Sequence, residues 1–178
     1  MTELRHLQLV ILDIMKDIDK LCRVHNIEYY LLGGSAIGAI RHKGFIPWDD
    51  DLDIIMNNEN YNRFIEVCRE ELDTSKYYLQ EGLLTSSMRH PKCLTSSMYF
   101  TKIRLKGTRF DEGVAYSDNP DQQGIFVDVF KMDNVPSGGL KMRWQYICAK
   151  IYLCHQLAVR GDDAHSFGLK KRLMLLMS

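Results

Sequence analysis

Apolar residues at Leu4, Leu7, Val10, Ile11, Ile14, Met15, Ile18, Leu21 and Cys22 recur three and four positions apart. That spacing predicts an amphipathic helix over residues 3–25, with Thr2 as its N-cap. The apolar runs then shorten. Residues 29–32 read as a brief strand entering a Gly33-Gly34-Ser35 turn, and a short helix follows to about Arg41. Pro47-Trp48 break the chain before a strand at 51–56, and Asn57 or Asn58 caps a helix through Tyr61, Phe64, Ile65, Cys68 and Leu72. Residues 77–79 and 98–105 read as further strands. In the second, alternation puts Tyr99, Thr101, Ile103 and Leu105 on one face and Phe100, Lys102 and Arg104 on the other. Residues 106–123 are polar and read as a loop, and Gly124 opens a strand at 125–130. Beyond Pro136-Ser137-Gly138-Gly139 the pattern is helical again. The expected fold is mixed α+β: one domain over 1–136, with a small sheet flanked by helices, and a helical extension over 137–178.

The 178 residues suffice for one domain with a real core, and 46% apolar with 26% charged residues is the balance of a globular protein. Formal net charge is zero, which removes the global basic field that drives nucleic-acid binding. Five cysteines, an odd number without C-x-x-C spacing, suggest reduced thiols and a cytoplasmic address. Three of them, Cys22, Cys68 and Cys148, fall in apolar helical patterns. No Cys/His pair has the spacing of a zinc site, and His6, His25, His90, His155 and His165 are scattered as structural residues would be. There is no secretory signal and no apolar run of membrane-spanning length. The amphipathic segment 170–177, or a lipid-linked acceptor, would still allow peripheral contact with the inner face of a membrane. The chain stops in mid-pattern, without the glycine or proline that usually closes a helix, so truncation is expected.

The densest chemistry lies between the glycine turn and the strand at 51–56. Four carboxylates, Asp49, Asp50, Asp51 and Asp53, occur within five positions and open an apolar run. Such clustering at the start of a buried strand is costly without a compensating cation. Strand alternation turns Asp51 and Asp53 the same way, with Asp49 able to join them, while Leu52 and Ile54 face the core. Asp128, set among Phe126, Val127, Val129 and Phe130, needs a partner as well. If the two strands are neighbours, Asp51, Asp53 and Asp128 converge. Oxygen-only ligands suit Mg²⁺ or Mn²⁺, which completes its shell with water and phosphate. Asp128 is then the candidate proton acceptor for an attacking hydroxyl. Gly33, Gly34 and Ser35 lie where backbone N–H groups can approach phosphate oxygens. Arg41, His42, Lys43, Lys102 and Arg104 are candidates to offset phosphoryl charge. Each part has a plainer reading. The turn can be a connection, Arg41 to Lys43 a solvated loop, Lys102 and Arg104 the exposed face of an edge strand, and the acids a calcium loop or surface turn. The acids lack EF-hand spacing and its terminal Glu, and they run straight into a core strand.

These residues also carry a resemblance. Leu4-Arg5-His6-Leu7-Gln8, Gly33-Gly34-Ser35 with Gly38, and the run from Arg41-His42-Lys43-Gly44 through Pro47-Trp48-Asp49-Asp50-Asp51-Leu52-Asp53 resemble the LicD family. So do Lys102-Ile103-Arg104, the strand ending Asp128-Val129-Phe130, and Asp133-Asn134-Val135-Pro136. That family includes phosphocholine transferases of bacterial surface polysaccharides and is related to fukutin and fukutin-related protein. The resemblance implies a nucleotidyltransferase-like fold and a CDP-linked donor such as CDP-choline or CDP-ribitol. It also implies a phosphodiester product on a glycan such as lipopolysaccharide or teichoic acid, and roles for Asp51, Asp53 and Asp128 as the catalytic acids. Where many members carry Thr-Leu-Leu, this chain has Ser35-Ala36-Ile37, which keeps the hydroxyl. Two other readings stay open: transfer of a nucleoside monophosphate from a triphosphate, and a non-catalytic nucleotide-binding module.

Overall fold

A computed structural model describes residues 2–81, 100–110 and 119–159. The expectations for residues 98–99, His90, Cys93, His165 and the segment 170–177 lie outside them, as does 111–118 of the loop. The chain divides into two compact units, Met1–Asp133 and Asn134–Ser178.

The first unit begins with α1 (Glu3–Val24), capped by the Thr2 hydroxyl, which accepts from Arg5 N. Then follow β1 (Tyr30–Leu31), α2 (Gly33–Arg41), β2 (Asp53–Asn57) and α3 (Asn58–Glu71), the last capped by the Asn57 side chain. β3 (Tyr77–Gln80), β4 (Thr101–Leu105), a 3₁₀ turn at Pro120–Gln123 and β5 (Phe126–Met132) follow among the described residues. The second unit contains α4 (Gly139–Val159). Several strand edges differ from expectation by one or two residues, and two of them bear on the site. β2 starts at Asp53, so Asp51 lies just ahead of it, and β5 runs two residues further, to Met132.

The five strands form one sheet in the order β1-β2-β5-β4-β3. Only β2 and β5 run parallel; the other neighbours are antiparallel. On one face, Ile54, Met56, Ile103, Val127 and Val129 join Ile11, Ile14, Met15 and Ile18 of α1 and Tyr61, Phe64 and Ile65 of α3 in a single apolar core. The Tyr61 hydroxyl reaches Thr101 Oγ1 at 2.7 Å inside that core. Cys22 and Cys68 are buried there as free thiols; burial pushes Cys22 up to about 12 and raises Cys68 as well. Cys148, expected on an apolar helical face, is exposed.

Period-two alternation sends the remaining strand residues to the opposite face. The register there is informative. Asp53 pairs with Asp128 across β2 and β5, and Asp128 pairs with Lys102 across β5 and β4. Phe126 pairs with Arg104 in the row on one side. Ile55 pairs with Phe130 on the other, and the Phe130 ring lies 4.6 Å from that of Phe100. β4 is interior to the sheet, and Lys102 and Arg104 are each 2% exposed. The edge-strand reading of these two cations is therefore wrong: strands on both sides and aromatic rings enclose them.

Candidate active site

The glycine turn is fastened to the acidic strand by its own backbone. Leu32 N donates to Asp53 O at 2.9 Å, and Asp53 N donates to Ser35 Oγ at 2.9 Å. The Ser35 hydroxyl thus spends an acceptor on the strand and keeps its O–H to donate. Gly33 has φ of +54°, a conformation that side chains oppose. A Cβ on Gly34 would lie 2.7 Å from Asp49 Oδ2, and one on Gly33 would lie 3.9 Å from Asp53 Oδ2. Gly34 therefore leaves room for the Asp49 carboxylate that a side chain would take, and Gly33 supplies the turn's backbone conformation, at the start of α2 where the helix presents its positive end. Leu32, at the N-cap of α2, supplies no side-chain acceptor that would close this end.

The second part of the site is the row Asp53, Asp128, Lys102. Lys102 Nζ lies 3.1 Å from Asp128 Oδ1 and 3.4 Å from Oδ2. It also stands 3.2 Å from the centre of the Phe126 ring, whose face favours a cation. Asp128 is 8% exposed, so this is a buried ion pair. Arg104 does something else. Its Nε donates to Gln80 Oε1 at 2.6 Å and its Nη1 donates to Gly124 O at 2.8 Å, which ties β4 to β3 and to the entry of β5.

Electrostatics show that the acids are under-compensated. Burial first, then the charge of Asp51, push the Asp53 carboxyl up to about 6, with Lys102 pulling in the opposite direction. Asp51 is raised by burial and then by Asp49 and Asp50. Asp49 Oδ2 is buried and has no hydrogen-bond partner among the described residues. Among those residues no three His, Cys, Asp or Glu side chains form a ready cage for a metal ion. The arrangement does not suit a cation held by protein alone. A cation here would have to complete its shell from water and phosphate, as Mg²⁺ and Mn²⁺ do, and Asp51 and Asp53, with Asp49 beside them, are the carboxylates that could hold it.

Arg41, His42 and Lys43 are not drawn into this cluster. All three are exposed, and none bonds to the acids among the described residues; the His42 ring meets Trp48 edge-on at 6.3 Å. Sequence reasoning missed Gln8. It is 2% exposed, and its amide reaches the loop that carries Asp49. The signal was present: Gln8 is a polar residue on the helical stripe of Leu4, Ile11, Met15 and Ile18.

A glycine turn stitched to an acidic strand, with a further acid in register on the parallel neighbour, is the arrangement of a nucleotidyltransferase-like domain. Residues 26–144 match the family described as LicD/FKTN/FKRP, nucleotidyltransferase domain, and the chain belongs to that family. It is 50% identical over 135 residues to the lipopolysaccharide cholinephosphotransferase LicD of Haemophilus influenzae, a match spanning 75% of this chain and 46% of that protein. It is also 43% identical over 54 residues to an uncharacterized protein of Rickettsia typhi, covering 30% of this chain and 18% of that one. An uncharacterized protein of Rickettsia prowazekii is 47% identical over 47 residues, covering 26% and 18%. The chain therefore spans less than half the length of these curated relatives.

Proposed function

We propose that the chain carries the catalytic part of a transferase that moves phosphocholine, or a similar alcohol phosphate, from a CDP-linked donor to a hydroxyl of lipopolysaccharide or another surface glycan. The observation that carries this reading is the packing of Gly33 and Gly34 against Asp49 and Asp53, in a chain half identical to a cholinephosphotransferase over 135 residues. Asp51 and Asp53, with Asp49 adjacent, are the carboxylates that would hold Mg²⁺ or Mn²⁺. A bound divalent ion would draw the donor's phosphates to these acids and withdraw charge from the departing nucleotide.

The chain's own groups do the rest. Backbone N–H groups at the start of α2 and the Ser35 O–H donate to phosphate oxygens. The acceptor oxygen attacks the phosphorus distal to the nucleoside. The bond from that phosphorus to the bridging oxygen breaks, and CMP leaves with the electron pair. Asp128 takes the acceptor's proton, its charge offset in the resting site by Lys102. Arg41, His42 and Lys43, out in solvent, steer the anionic donor inward. A nucleotide-activated donor places the reaction in the cytoplasm, at the inner face of the membrane if the acceptor is lipid-linked. Among the described residues no helix is long and apolar enough to cross a membrane.

The test is thermal stabilisation by CDP-choline, CDP-ribitol, CDP-glycerol, CMP, CTP and UTP, with and without Mg²⁺ or Mn²⁺. Transfer of labelled choline phosphate to lipopolysaccharide is then measured. A metal-dependent shift larger for one CDP-alcohol than for CMP or CTP supports the reading and names the transferred group. A preference for CTP with release of pyrophosphate replaces it with nucleotidyl transfer.

A further inference from the structure

Six side chains of α1 are buried; five are apolar and the sixth is Gln8. A buried carboxamide must find partners, and this one does. Gln8 Nε2 donates to Ile46 O at 3.1 Å and to Asp49 O at 2.8 Å, across about forty residues of sequence. Arg5 Nη1 donates to Gln8 Oε1 at 3.0 Å. Chemistry fixes the amide's orientation: two carbonyls can face only its nitrogen, and a guanidinium only its oxygen. The two carbonyls bracket Pro47 and Trp48, and Asp49 N closes the same turn by donating to Ile46 O at 3.0 Å. One buried amide therefore ties the whole 46–49 turn to α1.

The far end of that turn is the Asp49 carboxylate. Its Oδ2 is buried beside Gly34, close enough that a Cβ there would stand at 2.7 Å. Asp51 and Asp53 carry like charge two and four residues further along, so the carboxylates repel one another. Unrestrained, Asp49 gains by swinging into water, and something must hold its backbone in place.

We propose that Gln8 is a positioning residue of the active site. Its carboxamide holds the 46–49 turn so that the Asp49 carboxylate stays against the glycine turn, where it adds to the cation-and-phosphate site. α1 is then part of the catalytic apparatus, although it precedes the matched residues 26–144. The contact stands by itself; its effect on ligand rests on the transferase reading.

Two readouts separate the contact from the function. The first is hydrogen exchange at the Asp49 amide in metal-free protein, with α3 amides as the folding control. The second is the Mn²⁺ dissociation constant in wild type, Gln8→Met, Asp49→Asn and the double variant. Gln8→Met keeps length and apolar volume but cannot donate. It is expected to speed Asp49 exchange with α3 unchanged and to weaken Mn²⁺ about tenfold, the scale of a lost hydrogen bond in a buried setting. Adding it to Asp49→Asn should cost little more, because the effect passes through Asp49. Equal Mn²⁺ affinity in wild type and Gln8→Met, or a full further loss in the double variant, overturns the proposal. If wild type binds no Mn²⁺, the transferase reading fails, and an unchanged Asp49 exchange rate then overturns the clamp. Should Gln8→Met fail to fold, Arg5→Ala removes only the exposed brace on Oε1. A weakening of Mn²⁺ by about twofold to threefold supports the proposal there, on the scale of a partly loosened hydrogen bond, and none overturns it.

Discussion

Asp53 is held through its backbone N–H, which donates to the Ser35 hydroxyl, is packed beside Gly33, and is raised to about 6 by burial and by Asp51. In the unfolded chain this carboxyl ionises near 3.8, while in the folded chain it keeps its proton until about 6. Folding stability from this group therefore falls as pH rises through that window and stays lowered above it. Asp53→Asn, melted in EDTA, is expected to raise the melting temperature at pH 7.5, with the gain fading as the pH drops to 4. A lower melting temperature at pH 7.5 would contradict this. The same substitution, like Asp51→Asn and Asp128→Asn, is expected to reduce turnover by ~10³-fold or more, as loss of a group acting on transition-state charge does. A near-wild-type rate for any one of the three would remove that residue from the chemistry. Lys102 behaves differently, because it is half of a buried pair. Lys102→Met leaves the Asp128 charge behind and is expected to cost about 3–5 kcal/mol in urea unfolding. Lys102→Met with Asp128→Leu should recover most of that stability and none of the activity, so the two measurements separate what the pair does for the fold from what it does for the reaction.

At the scale of elements, much was legible because the pattern was local. The stripe of α1, the Asn57 cap of α3 and the alternation of β2 all follow from spacing and near-neighbour chemistry, and all are present. Strand order is not a local property. That β5 lies beside β2 was only a condition in the sequence; the sheet makes them neighbours, in parallel, with Asp128 opposite Asp53. Lys102 and Arg104 could not be placed from alternation alone, because a polar face on an edge strand and a polar face enclosed by Phe100 and Phe126 read alike. Gln8 stood out on its stripe, but its partners were hidden, because they are backbone carbonyls, which no side-chain pattern records. The same holds for Gly38: a Cβ there would stand 2.6 Å from Gly44 O and 2.9 Å from Ile46 N, so α2 touches the 44–46 backbone directly. Gly38→Ala must push that loop away. It is expected to destabilise by about 1–3 kcal/mol, as overpacking does, and to weaken donor binding with it. Unchanged stability would mean that the loop yields freely.

For the molecule as a whole, the matched domain and the folding unit are not the same stretch of chain. The match begins at residue 26, after α1 has ended at Val24. Yet Ile11, Ile14, Met15, Ile18 and Cys22 of that helix are each no more than 7% exposed and sit in the same core as the strands that carry Asp53 and Asp128. Burying a large apolar side chain is worth about 1.5–3 kcal/mol, so four of them together rival the ~5–15 kcal/mol that separates a domain from its unfolded state. α1 also ties outward, since Asp17 Oδ2 accepts from Lys76 Nζ and from the Tyr77 hydroxyl, each at 2.6 Å. A chain beginning at residue 26 would expose the site-bearing sheet along the face that α1 covers. It is expected to lose cooperative thermal unfolding and to bind neither Mn²⁺ nor CDP-choline. A chain ending at residue 136 keeps α1, the glycine turn and all of the acids, and is expected to unfold cooperatively and to retain cation binding. Circular dichroism melts of both fragments decide the matter. A cooperative transition in the first would make α1 dispensable to the fold and confine it to the Gln8 contact, and a molten second fragment would make residues 137–178 necessary to the unit that bears the site.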